Sequence, residues 1–255
     1  MSPVKNPVRL ITIPVSHYCE KARWALTRAQ IPFVEERHMP GFHQLATSGV
    51  GGKSVPVLVT EKEVLKDSDA ILKWVDQNSP YQDRLFLPEA YQQIEDLVKQ
   101  FDSILAPAVR QWAYFYLLNQ ADLVQPLWCE GVPWYEKLIF PMLYRKIVSI
   151  VTEGYKINSQ SATEAYNSIC EIFQTVENLL ADGRTYLTGE NFSAADLTFA
   201  TLAAAVVSPP GYGVKLPDLN KLPTEMADKI RTFQASVAGK FVLRLYKEHG
   251  RGVKQ

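Results

Sequence analysis

The sequence predicts a small α/β domain over residues 1–79 followed by an all-helical domain over 89–255, with a linker at 80–88. Three observations carry that expectation. Between residues 8 and 78, short apolar runs alternate with helix-forming stretches in the order β-α-β, then β-β-α. From Ala90 onward the apolar residues recur at helical spacing. Between these regions, Ser79-Pro80 to Pro88 is rich in turn residues.

The elements follow in order. Val8–Ile13 reads as a strand, and Cys19–Ala29 as a helix with Ala22, Leu26 and Ala29 near one face. Ile31-Pro32 breaks that helix, and Phe33–His38 is a second strand. A loop carrying Gly41, Gly49, Gly51 and Gly52 follows. Val55–Val59 and Glu63–Lys66 read as a hairpin, although Glu61-Lys62 is not a favoured turn pair. Asp67-Ser68-Asp69 caps a helix reaching Asn78, with Ile71, Leu72, Trp74 and Val75 apolar. In the second domain, helical periodicity covers Ala90–Gln120, Trp134–Tyr155, Thr163–Leu180, Ala194–Val207 and Glu225–Glu248, the last broken near Ala238-Gly239. Ser193 and Asp196 have the spacing of a capping box before an apolar run.

Composition removes several function classes. Lys and Arg number 27 and Asp and Glu 27, so neither nucleic acid nor an acidic membrane surface is an expected partner. Three scattered cysteines, Cys19, Cys129 and Cys170, do not form a secreted disulfide framework. No basic and apolar leader pattern opens the chain, and Leu197–Val207 is too short to span a bilayer. A soluble, cytoplasmic protein is the expectation. The four histidines, at 17, 38, 43 and 249, lack ligand spacing with the cysteines, so no metal is expected. Gly49–Gly52 is not a phosphate loop, because a strand follows it where a helix is needed.

The chemistry concentrates at Ser16-His17-Tyr18-Cys19, where a strand turns into a helix. Unpaired N–H groups and the macrodipole favour an anion there, and a thiolate is one such anion. Ser16 occupies the place where a Cys-x-x-Cys redox enzyme carries its nucleophile. A hydroxyl donates a hydrogen bond to another molecule's thiolate but forms no disulfide, which points to activation of a thiol cofactor. Read by itself, Ser16 is equally a plain helix cap.

Four segments then resemble the glutathione transferase superfamily, in order and over nearly the whole chain. They are Ser16–Cys19 with Lys21-x-Arg23-Trp24-Ala25-Leu26, Lys53–Leu58, Asp67–Ile71 and Asn191–Leu197. The Ser16 pattern is similar to the serine-type classes. The resemblance implies a thioredoxin-like N-terminal domain, a helical C-terminal domain, a cleft between them and a homodimer. It also implies glutathione as co-substrate. Ser16 then donates to the glutathione sulfur, and the Val55 main chain, before a cis Pro56, pairs with the cysteinyl part. Ser68 and the free N–H groups beside it take the γ-glutamyl carboxylate, Asp67 the ammonium and Lys53 the glycine carboxylate. Asp67 departs from the family's frequent Glu by one methylene. Cys19, without a partner at position 16, is expected to pack as a small hydrophobe.

The second substrate is less legible. Trp112, Phe115 and Tyr116 share helical faces and are the expected contacts for a hydrophobic electrophile, against the competing reading of an aromatic core stripe. Tyr212 is a further candidate. The resulting expectation is a detoxifying transferase that ionises the glutathione thiol and conjugates it to small hydrophobic electrophiles. A glutathione peroxidase or thiol reductase on the same scaffold is the first alternative, and a non-catalytic ligand-binding protein the second.

Overall fold

A computed structural model describes residues 7–79 and 84–250. The first four residues of the expected linker, 80–83, lie outside the described residues. The N-terminal sheet has four strands in the order β2-β1-β3-β4. These are β1 (Val8–Thr12), β2 (Phe33–Arg37), β3 (Val57–Val59) and β4 (Val64–Leu65). β1 runs parallel to β2 and antiparallel to β3, and β3 pairs antiparallel with β4, so the expected hairpin forms. Leu10, Ile11, Val57 and Leu58 are fully buried, which explains the unbroken apolar runs at the sheet centre.

Helix α1 (His17–Arg28) starts two residues before the expected Cys19, with Ser16 as its cap. α2 (His43–Ser48) lies in the glycine-bearing loop, where no helix is expected. Its Leu45 is exposed, so the segment carries no apolar stripe to betray it. α3 (Ser68–Asn78) matches the expected helix.

The second domain begins with one long helical run. It comprises α4 (Tyr91–Gln100), a π-helical turn at Phe101–Leu105 and α5 (Ala106–Leu117). Pro107 has no N–H to give back to the preceding turn, and the backbone widens just before it. α6 (Ala121–Cys129) contains Pro126 and was not expected. It holds together because Val124, Leu127 and Trp128 bury one face. α7 (Trp134–Gly154) matches its expected span. α8 (Ser159–Leu180) starts four residues earlier than expected, where Asn158 and Ser161 form a reciprocal capping box. α9 (Ala194–Val207) is buried along almost its whole length and opens with the Ser193–Asp196 box. α10 (Thr224–Ala235) and α11 (Val237–His249) meet at Ser236. A Cβ on Gly239 would sit 1.8 Å from the Phe233 carbonyl oxygen, so only glycine permits that junction.

Two apolar cores result. The larger packs α1 and α3 against α4, α5, α8, α9 and α11, with Trp24 of α1 on the Tyr246 ring at 4.7 Å. The smaller joins Met39 and Val214 to α6 and α7 through Leu127, Trp128 and Phe140. Among the described residues, no helix is long and apolar enough to cross a membrane, and no side-chain group is arranged to hold a metal ion.

Charged residues on α1 are buried as pairs. Lys21 Nζ, fully enclosed, donates to Asp102 Oδ2 in the π-helical turn at 2.7 Å. Arg23 Nε donates to Glu35 Oε1 at 2.5 Å, its Nη1 lies 3.3 Å from Glu20, and its Nη2 donates to the Ile13 carbonyl. Burial opposes ionisation of Glu35, but the Arg23 charge prevails and holds its carboxyl below the usual range. A buried charge that loses its partner costs about 3–5 kcal/mol. Asp102→Ala therefore destabilises the protein by that amount in urea unfolding, and the double variant Lys21→Met/Asp102→Leu loses less than the single one. A double variant as unstable as Asp102→Ala would show that the pairing is not what matters.

Candidate functional site

The turn Pro14–Ser16 delivers the chain from β1 to α1, and Ser16 sits at the helix N-terminus in extended backbone. Its oxygen accepts from the Cys19 N–H at 3.4 Å, so the capping role is real. That bond uses a lone pair, and a hydroxyl that accepts still has its proton to give. Two bonds fix the surroundings. Tyr212 Oη donates to the Val15 carbonyl at 2.8 Å, and Tyr18 Oη donates to the Asp102 carbonyl at 3.2 Å.

Ser16 opens onto a cavity of about 790 Å³ between the two domains, within the range of small-molecule sites. Lys53, Val55, Pro56, Asp67 and Ser68 line the same cavity, so the structure brings together every residue expected on the N-terminal side. The Val55–Pro56 bond is cis. Among the described residues, no hydrogen bond engages the main-chain N–H or C=O of Val55. Asp67 caps α3 by accepting from the Ala70 N–H at 2.8 Å. The Ser68 hydroxyl beside it has no partner among the described residues, and the first helical N–H groups point the same way. Lys66, not expected from the sequence, adds a second ammonium to the lining.

The helical side differs from expectation. Trp112 is fully buried in the larger core, edge-on to Tyr116 at 5.3 Å, and neither residue lines the cavity. Phe115 is also absent from the lining. The stripe of α5 that faces the cavity is Val109, Arg110, Ala113, Tyr114 and Leu117, spaced by three and four residues. The aromatic run was legible, but which face met the core was not. Tyr212 lies outside the cavity as well and serves the turn before Ser16. Leu127 and Trp128 of α6 and Ile147, Ile150 and Val151 of α7 form the far wall.

His17 and Tyr18 line the cavity beside Ser16. Burial, then the charges of Arg110 and Lys21, push His17 down to about 3, so it is a neutral imidazole at working pH. Burial lifts the Tyr114 hydroxyl to about 12. Cys19 is fully buried outside the cavity, and burial raises its thiol despite the Arg23 charge and the Ser16 hydroxyl. A buried thiol of that kind is a poor nucleophile.

Comparison with known proteins follows from this geometry. Residues 10–83 match the family model of the glutathione S-transferase N-terminal domain, and residues 138–228 match that of the C-terminal domain. The chain belongs to the glutathione transferase superfamily. Among solved structures with this fold is the glutathione S-transferase CsGST63524 of Ceriporiopsis subvermispora in complex with glutathione. It is 18% identical, with 96% of this chain and 98% of that one covered and a TM-score of 0.62. The glutathione transferase GSTFuA3 of Phanerochaete chrysosporium is 16% identical over 96% and 97%, with a TM-score of 0.60. The β-etherase LigF of Sphingobium sp. strain SYK-6 is 14% identical over 94% and 99%, with a TM-score of 0.59. No curated protein matches the sequence.

In this glutathione transferase fold, α7 is latched to the N-terminal domain beside the cavity. His38 Nδ1 lies 2.6 Å from Glu136 Oε1 and its Nε2 2.9 Å from Glu36 Oε1. Glu136 Oε2 also accepts from the Met39 N–H at 2.8 Å. Burial opposes the charged imidazole, but the two carboxylates prevail and raise its pKa above 6.5. A raised histidine stabilises the folded state fully below its unfolded value, and that contribution is lost as pH climbs through the folded value. The Tm difference between wild type and His38→Gln is therefore largest near pH 6 and shrinks by pH 8.5. A difference that stays flat across this range would contradict the charged latch.

Proposed function

We propose that the protein is a glutathione transferase that holds the glutathione thiol ionised at Ser16 and conjugates it to apolar electrophiles. The supporting observation is convergence on one cavity of the Ser16 hydroxyl and the unengaged Val55 main chain. Extended peptides satisfy their own backbone on such free main-chain groups, as in strand addition. In the same cavity Lys53 and Lys66 suit carboxylates, Ser68 and the α3 N-terminus suit a further anionic group, and Asp67 suits an ammonium. That set of charges fits a tripeptide with two carboxylates and one amine.

Glutathione, when bound, supplies the sulfur nucleophile. A thiol near its reference pKa of about 8.5 is only a few per cent ionised at neutral pH. Ser16 donates its O–H to the sulfur, and the N-terminus of α1 adds a favourable field. Among the described residues the one carboxylate that lines the cavity is Asp67, assigned to the ammonium, so the thiol proton passes to solvent or to a carboxylate of the tripeptide itself. The apolar wall from α5, α6 and α7 holds the electrophile against the sulfur. Placement of two reactants together is a large part of the rate. A new carbon–sulfur bond forms as the leaving group departs with its electron pair. The burial of Cys19 disfavours a thiol–disulfide route. Pairing of two copies into a homodimer and a cytoplasmic location belong to the same proposal, on the strength of family membership.

Ultraviolet titration of bound glutathione tests it, because thiolate absorbance reports ionisation directly. In the wild type the thiol titrates below its free value, and Ser16→Ala raises that value by about one unit, ~1.4 kcal/mol. An unshifted titration in the wild type, or no response to Ser16→Ala, would remove the mechanism.

A further inference from the structure

The cavity wall carries three cations, Lys53, Lys66 and Arg110, against a single carboxylate, Asp67. The first two and Asp67 belong to the end proposed for the tripeptide, and Arg110 does not. It projects from α5 into the apolar half, on the stripe that includes Ala113 and Leu117. Among the described residues, no hydrogen bond or ion pair engages its guanidinium. The guanidinium lies over the Tyr155 ring at 4.1 Å from the centroid. The Gln111 amide donates to the Tyr155 carbonyl at 2.9 Å and fixes that ring's segment after α7.

This geometry is selective. A guanidinium stacked by its face keeps its in-plane N–H donors for another partner, and those donors match a carboxylate two by two. The groups its charge reaches, His17, Tyr18 and Tyr114, and the Tyr155 ring beneath it include no carboxylate, so the cation has no formal counter-charge until an anion arrives. Its field already reaches the neighbouring groups, helping to hold His17 neutral and opposing the burial of Tyr114.

We infer that Arg110 binds an anionic group, a carboxylate or sulfonate, carried by the second substrate. The electrophiles of this protein are then apolar acids, with the acid end on Arg110 and the reacting carbon toward Ser16. This rests on the proposed tripeptide site, because Lys53 and Lys66 must be occupied for Arg110 to be the free cation.

The test is equilibrium binding with unreactive probes. Calorimetry of 4-methyl-3-nitrobenzoate and of the matching neutral amide is run on the full chain saturated with S-methylglutathione. The methylated tripeptide fills its groove without reacting, and its own titration reports on the tripeptide site separately. In the wild type the benzoate binds about 10-fold or more tightly than the amide. Arg110→Gln brings that ratio close to one, and Arg110→Lys retains part of it. A wild type that binds the two probes equally overturns the inference, with no variant required. So does a preference that survives Arg110→Gln, or a variant that weakens both probes by one factor. If S-methylglutathione fails to bind, the tripeptide reading falls, and the Arg110 site then stands only where Arg110→Gln still abolishes the benzoate preference; a preference that survives that variant belongs to Lys53 or Lys66 and overturns it.

Discussion

The buried charges of α1 are the constraint on which the site depends. Lys21 reaches out of the N-terminal domain to Asp102, and Arg23 reaches back to Glu35 and the Ile13 carbonyl. One helix is thus tied to both walls of the interdomain cavity, and its N-terminus has no freedom to move relative to either. Such pairs are not a net source of stability, since desolvation cancels much of their attraction. Their contribution is geometric. Apolar packing alone would allow α1 to slide or rotate, whereas a buried ammonium has only one acceptable position. The Tyr18 and Tyr212 hydroxyls complete the arrangement by fixing the turn on either side of Ser16.

The cavity built on that helix is electrostatically divided. Its N-terminal end offers charges of both signs, free main-chain groups and a helix N-terminus. Its middle carries no carboxylate, His17 is held neutral, and Cys19 is withdrawn into the core. A hydroxyl at a helix N-terminus with no carboxylate beside it suits a sulfur anion better than a second acid would. Arg110 is the one charged side chain among the described residues that line the helical end. The His38–Glu136 latch holds the outer wall, α7, to the domain that carries Ser16.

Much of this was legible in the sequence where a residue's role is local. The turn at Ser16, the cap at Asp67 and the box at Ser193–Asp196 are each set by neighbours within one helical turn, and they stand where the sequence placed them. The Lys21-x-Arg23-Trp24 motif was visible, but its meaning lay in partners far along the chain at Asp102, Glu35 and Tyr246. The apolar contacts from α5 were misassigned for the same reason. Both faces of that helix are apolar, and only the packing of α8 and α9 decides that Trp112 turns inward while Tyr114 turns to the cavity. α2 and α6 escaped because a short helix with an exposed Leu45 and a helix containing Pro126 carry weak local signals. Arg110 gave no signal at all, since one arginine in a helical run is indistinguishable from a solvated one.

A crystal structure of the protein with glutathione bound tests the central claim most directly. The account predicts an extended tripeptide along Val55 and Ser68, with its sulfur within hydrogen-bonding distance of Ser16 Oγ. A sulfur directed away from Ser16, or a groove that takes no tripeptide, would contradict it.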